Sequence, residues 1–401
     1  MRLQTLIIGT LGLCYGAYAS PSPVSLTPDA TGKQTARPTC ILRSRGDELW
    51  DDGRDILTST YNCHDGGVVV IPAGSTIMVR SALNLGWCRG CEIQIEGTLK
   101  TSNNYEYWNG RAEMIDLSGL NNVTIRSVTG QGLIDGNMAG MYLRDRWPDR
   151  FSELPSLLHI RESSNISISN LKMKNAGRAF ITVDGLSSNI TLSSLNLTVE
   201  GQYQDLTYTQ GDSTGLFIQN STRVYATGLN VFFSSNKPEA KVGTCVAIAE
   251  ATDTIEVSNI TCFTGHGVMV KSRFFRSYSK TAKNVYVSDL IANTSIATGF
   301  QLSTTDLEEL SNITWDRVTV LDGQAAVAYF CWEDIPLWTA RCAYAATTTR
   351  ANLSGIHWKN FKGRIGPDLP DVRCPNEKSS CDFHFEQWMG TNATRLQRIL
   401  K

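Results

Sequence analysis

The chain has 401 residues, 41% of them apolar, with 37 Lys and Arg against 38 Asp and Glu and a net charge of -1. That length suits a large buried core, and a single elongated domain can hold it. The near-neutral balance gives no basis for nucleic acid or an anionic membrane as a partner.

Residues 1–19 read as a signal peptide. Arg2 is the charged start, residues 3–13 the apolar segment and Ala17-Tyr18-Ala19 the small-x-small cleavage site. No later stretch is apolar for the roughly 20 residues that a membrane span needs. A secreted, extracellular protein is expected. Of eleven cysteines, Cys14 falls in the signal, and the even remainder fits disulfides in an oxidising compartment. Close spacing pairs Cys245 with Cys262, Cys331 with Cys342 and Cys374 with Cys381. The partners of Cys40, Cys63, Cys88 and Cys91 stay open, and Cys88-Arg89-Gly90-Cys91 also admits a metal or redox CxxC. Glycosylation sequons start at Asn122, Asn165, Asn189, Asn196, Asn220, Asn259, Asn293, Asn312, Asn352 and Asn392.

Residues 20–39, rich in Pro, Ser and Thr, read as a flexible leader. One short helix is expected between Gly46 and Tyr61, and residues 66–74 read as turn, buried strand and turn. Then the chain repeats itself. Leu120 to Ile125, Ser164 to Leu171, Ser188 to Leu195, Thr254 to Ile260, Lys283 to Leu290 and Ser311 to Trp315 share one unit. It is a polar turn, an apolar-polar-apolar run, then Asn or Asp, then an apolar residue. Period-two alternation means short strands with one face buried. Such a unit cannot bury its face alone, so coils must stack. Asn at the corners fits, because it tolerates left-handed backbone and can stack on Asn of the next coil. The expectation is all-β: one right-handed parallel β-helix over residues 40–401, monomeric by default. A solenoid face suits a polymer ligand. Tyr105, Tyr107, Trp108, Tyr142 and Trp147 lie between repeats, where packing is the plainer role and sugar stacking the alternative.

At this point the chain resembles glycoside hydrolase family 28, and within it the fungal exo-polygalacturonases (galacturan 1,4-alpha-galacturonidases). The resemblance runs over nearly the whole mature chain. It includes Gly67 to Pro72, Ile93 to Lys100, Gly132 to Gly136, Cys245 to Ile248, Gly265-His266-Gly267 and Trp358 to Gly363. It implies hydrolysis of terminal α-1,4-linked galacturonate from polygalacturonate with inversion, without cofactor. The partner implied is a pectic polysaccharide or oligogalacturonate. Inversion needs one carboxylic acid for the leaving oxygen and one carboxylate for water. The family's motifs are Asn-Thr-Asp-Gly, Asp-Asp, Gly-His-Gly and Arg-Ile-Lys, whose cations hold the galacturonate carboxylate.

Against those motifs the chain departs. Asp212-Ser213-Thr214-Gly215 puts Thr214 where the first aspartate belongs. Gly243-Thr244 replaces Asp-Asp. Gly265-His266-Gly267 is intact, and Gln301 and Ser303 replace the Arg and Lys. Thr and Gly cannot act as acid or base. His266 and Asp212 are the candidate catalytic residues, and Thr214, Thr244, Lys271 and Gln301 the candidate substrate contacts. Three readings follow: a hydrolase by descent that has lost turnover and still binds glycan; a glycosidase rebuilt around Asp212; or an interaction protein using the β-helix face. In the rebuilt site Asp205, Glu239 or Glu250 supply further carboxylates, and Lys271, Lys241 or Arg273 the cations. The glycines beside His266 are read as leaving backbone bare for a ligand. His64, His159, His357 and His384 are read as structural. No His/Asp cluster has metal spacing, so no metal is expected.

Overall fold

The computed structural model describes residues 37–141, 154–200, 213–234, 243–271, 281–301, 307–329, 350–363 and 380–390. The chain divides into two compact units, Met1–Arg37 and Pro38–Lys401. Every described strand belongs to the second unit, and all of them pair in parallel. The expected signal peptide and nearly all of the leader lie outside the described residues.

Three rows of strands run along a right-handed parallel β-helix. The first row stacks Leu83–Asn84, Glu113–Ser118, Ser156–Arg161, Ala179–Asp184, Thr214–Ile218, Thr244–Ile248 and His266–Lys271, in that order. It continues in the second half of Thr281–Gln301 and of Leu307–Tyr329. The second and third rows are two halves of long bent strands such as Ser164–Lys174, Ser187–Val199, Ser221–Phe233 and Thr252–Phe263. Hydrophobic alternation explains this. Ile166, Ile168, Leu171 and Met173 point inward, while Ser167, Asn170 and Lys172 between them do not.

The bends fall on residues with left-handed backbone. Entering the second row these are Asn122, Asn165, Asn189, Arg223, Thr254, Asn284 and Asn312, with φ between 54° and 59°. Between the second and third rows they are Asn170, Ser194, Gly228, Asn259, Asp289, Arg317 and Asn360, with φ between 52° and 67°. Asn leads because its side chain lowers the cost of this region. Corner amides also bond from coil to coil. Asn165 Nδ2 donates to Asn121 Oδ1 at 3.3 Å, and Asn312 Nδ2 donates to Asn284 Oδ1 at 2.8 Å. Five of the expected sequons, at Asn122, Asn165, Asn189, Asn259 and Asn312, are therefore corner residues.

Inside, identical positions stack on one another. Trp315, Trp358 and Phe385 lie face to face at 5.2 and 4.8 Å, and Phe361 stacks on Trp388 at 4.6 Å. Trp108 is fully buried, which agrees with its packing role, whereas Tyr142 and Trp147 lie outside the described residues. The N-terminal helix is shorter than expected and runs Gly53–Asn62. Asp51 and Asp52 set its start. Asp52 accepts the Met78 N–H and Asp51 accepts the Arg80 N–H, so this segment is committed to the neighbouring strand.

Disulfides join Cys40 to Cys63, Cys88 to Cys91 and Cys245 to Cys262. The CxxC is thus a local bridge. Cys381 is disulfide-bonded, while Cys331, Cys342 and Cys374 lie outside the described residues. Among the described residues no helix is long and apolar enough to cross a membrane, and no group of three ligating side chains could hold a metal ion.

Replacing Asn165 by Ala removes the corner preference and two amide bonds, one to Asn121 and one from Asn189 in the neighbouring coils. The expected cost is about 1–2 kcal/mol, seen as a lowered thermal midpoint. Asn165→Gly, which keeps the backbone freedom and loses only the amide, should fall between the two.

Candidate active site

The first row brings the expected site residues together. Thr214 pairs with Thr244, Thr244 with His266, and His266 with Ile296. Three residues from three separate coils thus share one column, at about 4.8 Å per coil. All three are buried, at 7%, 2% and 5% exposure respectively. Backbone bonds fix the alignment: Thr244 N–H donates to Ser213 O, and His266 N–H donates to Gly243 O, both at 2.9 Å. The Cys245–Cys262 bridge ties the strand that carries Thr244 to the segment just before His266.

Two glycines flank the column, Gly243 before Thr244 and Gly267 after His266. Gly243 has φ of 111°, and a Cβ there would lie 2.4 Å from the Ser213 carbonyl oxygen. The position therefore has no room for a carboxylate side chain. At Gly267 a Cβ would meet the Ala297 carbonyl oxygen at 2.1 Å. Close coil-to-coil packing accounts for that glycine, so the expectation that it serves ligand approach gives way to a steric reason.

Other candidates sit farther off or fall elsewhere. Glu250 lies six residues past Thr244, in a bend beyond the end of the strand Thr244–Ile248, and so is not part of the column. Lys271 and Gln301 pair with each other at the opposite end of the strand from His266. Asp212, Asp205, Glu239, Lys241, Arg273 and Ser303 lie outside the described residues.

Sequence reasoning missed three features. Arg178 precedes this column by one coil, and its carbonyl accepts the Thr214 N–H at 2.8 Å. Beside the column is an apolar cluster of Ala179, Phe217, Ala247 and Ala249, separate from the interior core. Phe217 and Ala247 alternate with the inward Leu216, Ile218, Val246 and Ile248, so they occupy the outer face of the row.

The third is a charged network farther along the same row. His159, read from sequence as structural, is buried between two carboxylates. Its Nδ1 lies 2.9 Å from Glu113 Oε2 and its Nε2 2.9 Å from Asp184 Oδ1. Arg161 Nε reaches Asp184 Oδ1 at 3.4 Å. Burial pushes the imidazolium down. The hydrogen bond and charge of Asp184 and the hydrogen bond of Glu113 outweigh it and raise His159 above its ordinary value of 6.5. Burial pushes Asp184 up, but bonding and charge from His159, then Arg161, hold it below its ordinary 3.8. Two anions and two cations thus cancel. A sequence signal existed only as separate residues, spread over four positions on three strands.

The family described as "Glycosyl hydrolases family 28" matches residues 63–329. "Probable endo-xylogalacturonan hydrolase A" of Emericella nidulans is 33% identical, over 86% of this chain and 85% of that one. "Endo-xylogalacturonan hydrolase A" of Aspergillus tubingensis is 32% identical, over 78% of this chain and 74% of that one. The crystal structure of the endo-xylogalacturonan hydrolase from Aspergillus tubingensis superposes with a TM-score of 0.72 at 26% identity, covering 88% of this chain and 92% of that one. An exopolygalacturonase from Thermotoga maritima shares the fold, with a TM-score of 0.65 at 12% identity over 89% of each chain. The curated relatives carry an endo-acting name, and the exo-acting subtype expected from sequence is not theirs.

The charge pair gives a signed pH dependence. The His159 contribution is complete below about pH 6.5 and is lost as pH rises through the raised folded value. The Asp184 contribution is present above about pH 3.8 and is lost as pH falls through its lowered value. The thermal advantage of the wild type over His159→Gln should be widest between about pH 4 and 6.5 and shrink toward alkaline pH. Melts across that range check it, and a pH-independent gap would mean that His159 folds uncharged.

Proposed function

The chain belongs to glycoside hydrolase family 28, and we propose that it is a secreted pectin-binding member that no longer turns its substrate over. The observation that carries this reading is the column Thr214–Thr244–His266 with Gly243 beside it. The fold holds these positions in register, as a hydrolytic site needs. Neither threonine titrates in the working range, and Gly243 admits no side chain. Loss of a general acid or base forfeits a factor of about 10²–10⁴ each. With both gone, His266 has no carboxylate of the column to tune.

The ligand class follows from what lines the row. Gln301 stands where the resemblance puts a cation for galacturonate, and the apolar Phe217–Ala247–Ala249 cluster lies beside the column. A chain whose acid groups are interspersed with neutral sugar suits this lining better than bare polygalacturonate. The curated relatives, named for xylogalacturonan, point the same way. The signal-like residues 1–19 and the disulfides support secretion. The ten sequons are proposed glycan acceptors, and among the described ones Asn122, Asn165, Asn189, Asn196, Asn259, Asn293, Asn312 and Asn352 are exposed.

Purified protein should bind xylogalacturonan in affinity electrophoresis and release no reducing ends from xylogalacturonan or polygalacturonate. Asp212→Asn should change neither result. Turnover in the wild type that Asp212→Asn abolishes would overturn the inactive reading in favour of a site rebuilt on Asp212.

A further inference from the structure

The network of Glu113, His159, Arg161 and Asp184 takes no part in the column, and its position in the row is what makes it informative. Asp184 ends the strand that pairs with Thr214–Ile218. His159 and Arg161 lie on the next strand outward, and Glu113 on the one after that. The network therefore begins one coil, about 4.8 Å, from the strand of Thr214 and extends for two more. A polymer lying along the row across the column meets these residues next.

The side chains occupy the outer face. His159 alternates with Leu158 and Ile160, both in the interior core. Its ring is sealed, at 3% exposure, while the Arg161 side chain stays 40% exposed. Glu113 and Asp184 each spend one oxygen on the imidazole. Glu113 Oε1 and Asp184 Oδ2 carry no hydrogen bond among the described residues. Holding four charges together at a surface is poor value for stability, since apolar residues of the same volume do as well or better. Two carboxylate acceptors and a guanidinium donor, locked in place by one buried histidine, are instead a rigid set of partners for hydroxyl groups.

Their charges decide which sugar. With His159 protonated the set sums to zero, so it offers no net attraction to a galacturonate carboxylate, and the open oxygens of Glu113 and Asp184 repel one. Sugar hydroxyls can donate to those oxygens and accept from Arg161. We propose that Glu113, His159, Arg161 and Asp184 form a subsite for an uncharged sugar unit of the bound glycan, with His159 as the positioning residue. This rests on the pectic reading above and narrows it: the chain bound across the row carries a neutral sugar such as xylose one to three coils from Thr214.

The test compares a xylose-bearing oligogalacturonate with an unsubstituted one of equal backbone length by titration calorimetry. Arg161→Ala, which leaves the His159 clamp to Glu113 and Asp184 in place, should weaken the xylose-bearing ligand by about tenfold or more. It should leave the unsubstituted one within about twofold. Glu113→Gln gives a second probe should the first disturb the fold, and it should show the same selectivity. Equal losses for both ligands, or none for either, would overturn the subsite. Wild type that binds only the unsubstituted ligand overturns the subsite and leaves the pectic reading standing. Wild type that binds neither overturns both.

Discussion

Everything in this molecule depends on one constraint: each coil must hydrogen-bond in parallel register with the next, so each must bend at the same place. A strand cannot bend sharply in the β region. The corner residue moves to φ near 55°, and the same column of residues does so in coil after coil. For most side chains this costs free energy, and Asn, Asp and Gly meet it at the least cost. Where Arg223, Arg317 or Thr254 occupies a corner instead, register outweighs local preference. The interior benefits in return. Trp315, Trp358 and Phe385 stack because register puts them at the same height in successive coils.

That constraint made the fold legible. A corner asparagine followed by alternating apolar residues appears in the chain as a repeated phrase, and each repetition corresponds to a coil. What the phrase leaves out is the first row, whose strands vary in content. Ser156 to Arg161 and Thr244 to Ile248 share no pattern beyond being mostly buried. The helix boundary was misplaced for a similar reason. Asp51 and Asp52 act through contacts with residues 78–81, which are distant in sequence.

The site was legible in its absences. Thr214, Thr244 and His266 were identified by the motifs around them, and the register places them in one column. Two things were hidden. The backbone at Gly243 is a property of the fold, and no residue type announces a φ of 111°. The Glu113–His159–Arg161–Asp184 network depends on strands 23 to 46 residues apart in the chain. A histidine between Leu158 and Ile160 reads as core until the neighbouring coils supply its two carboxylates.

On the reading proposed above, these features also explain how such a fold would survive the loss of its chemistry. Paired catalytic carboxylates repel each other and are held partly desolvated, so a hydrolytic column is a burden on stability. Replacing them with threonine and glycine relieves that burden and leaves the ladder untouched, because Thr244 and His266 bond through their backbone N–H groups. The outer face beyond the column bears different constraints. There the charges of Glu113, His159, Arg161 and Asp184 compensate one another, and a set of four is lost only at the cost of leaving a buried ion unpaired. A catalytic column can therefore decay residue by residue, whereas a charge-balanced binding network tends to persist whole. On the proposed reading, the first row of this protein contains one of each.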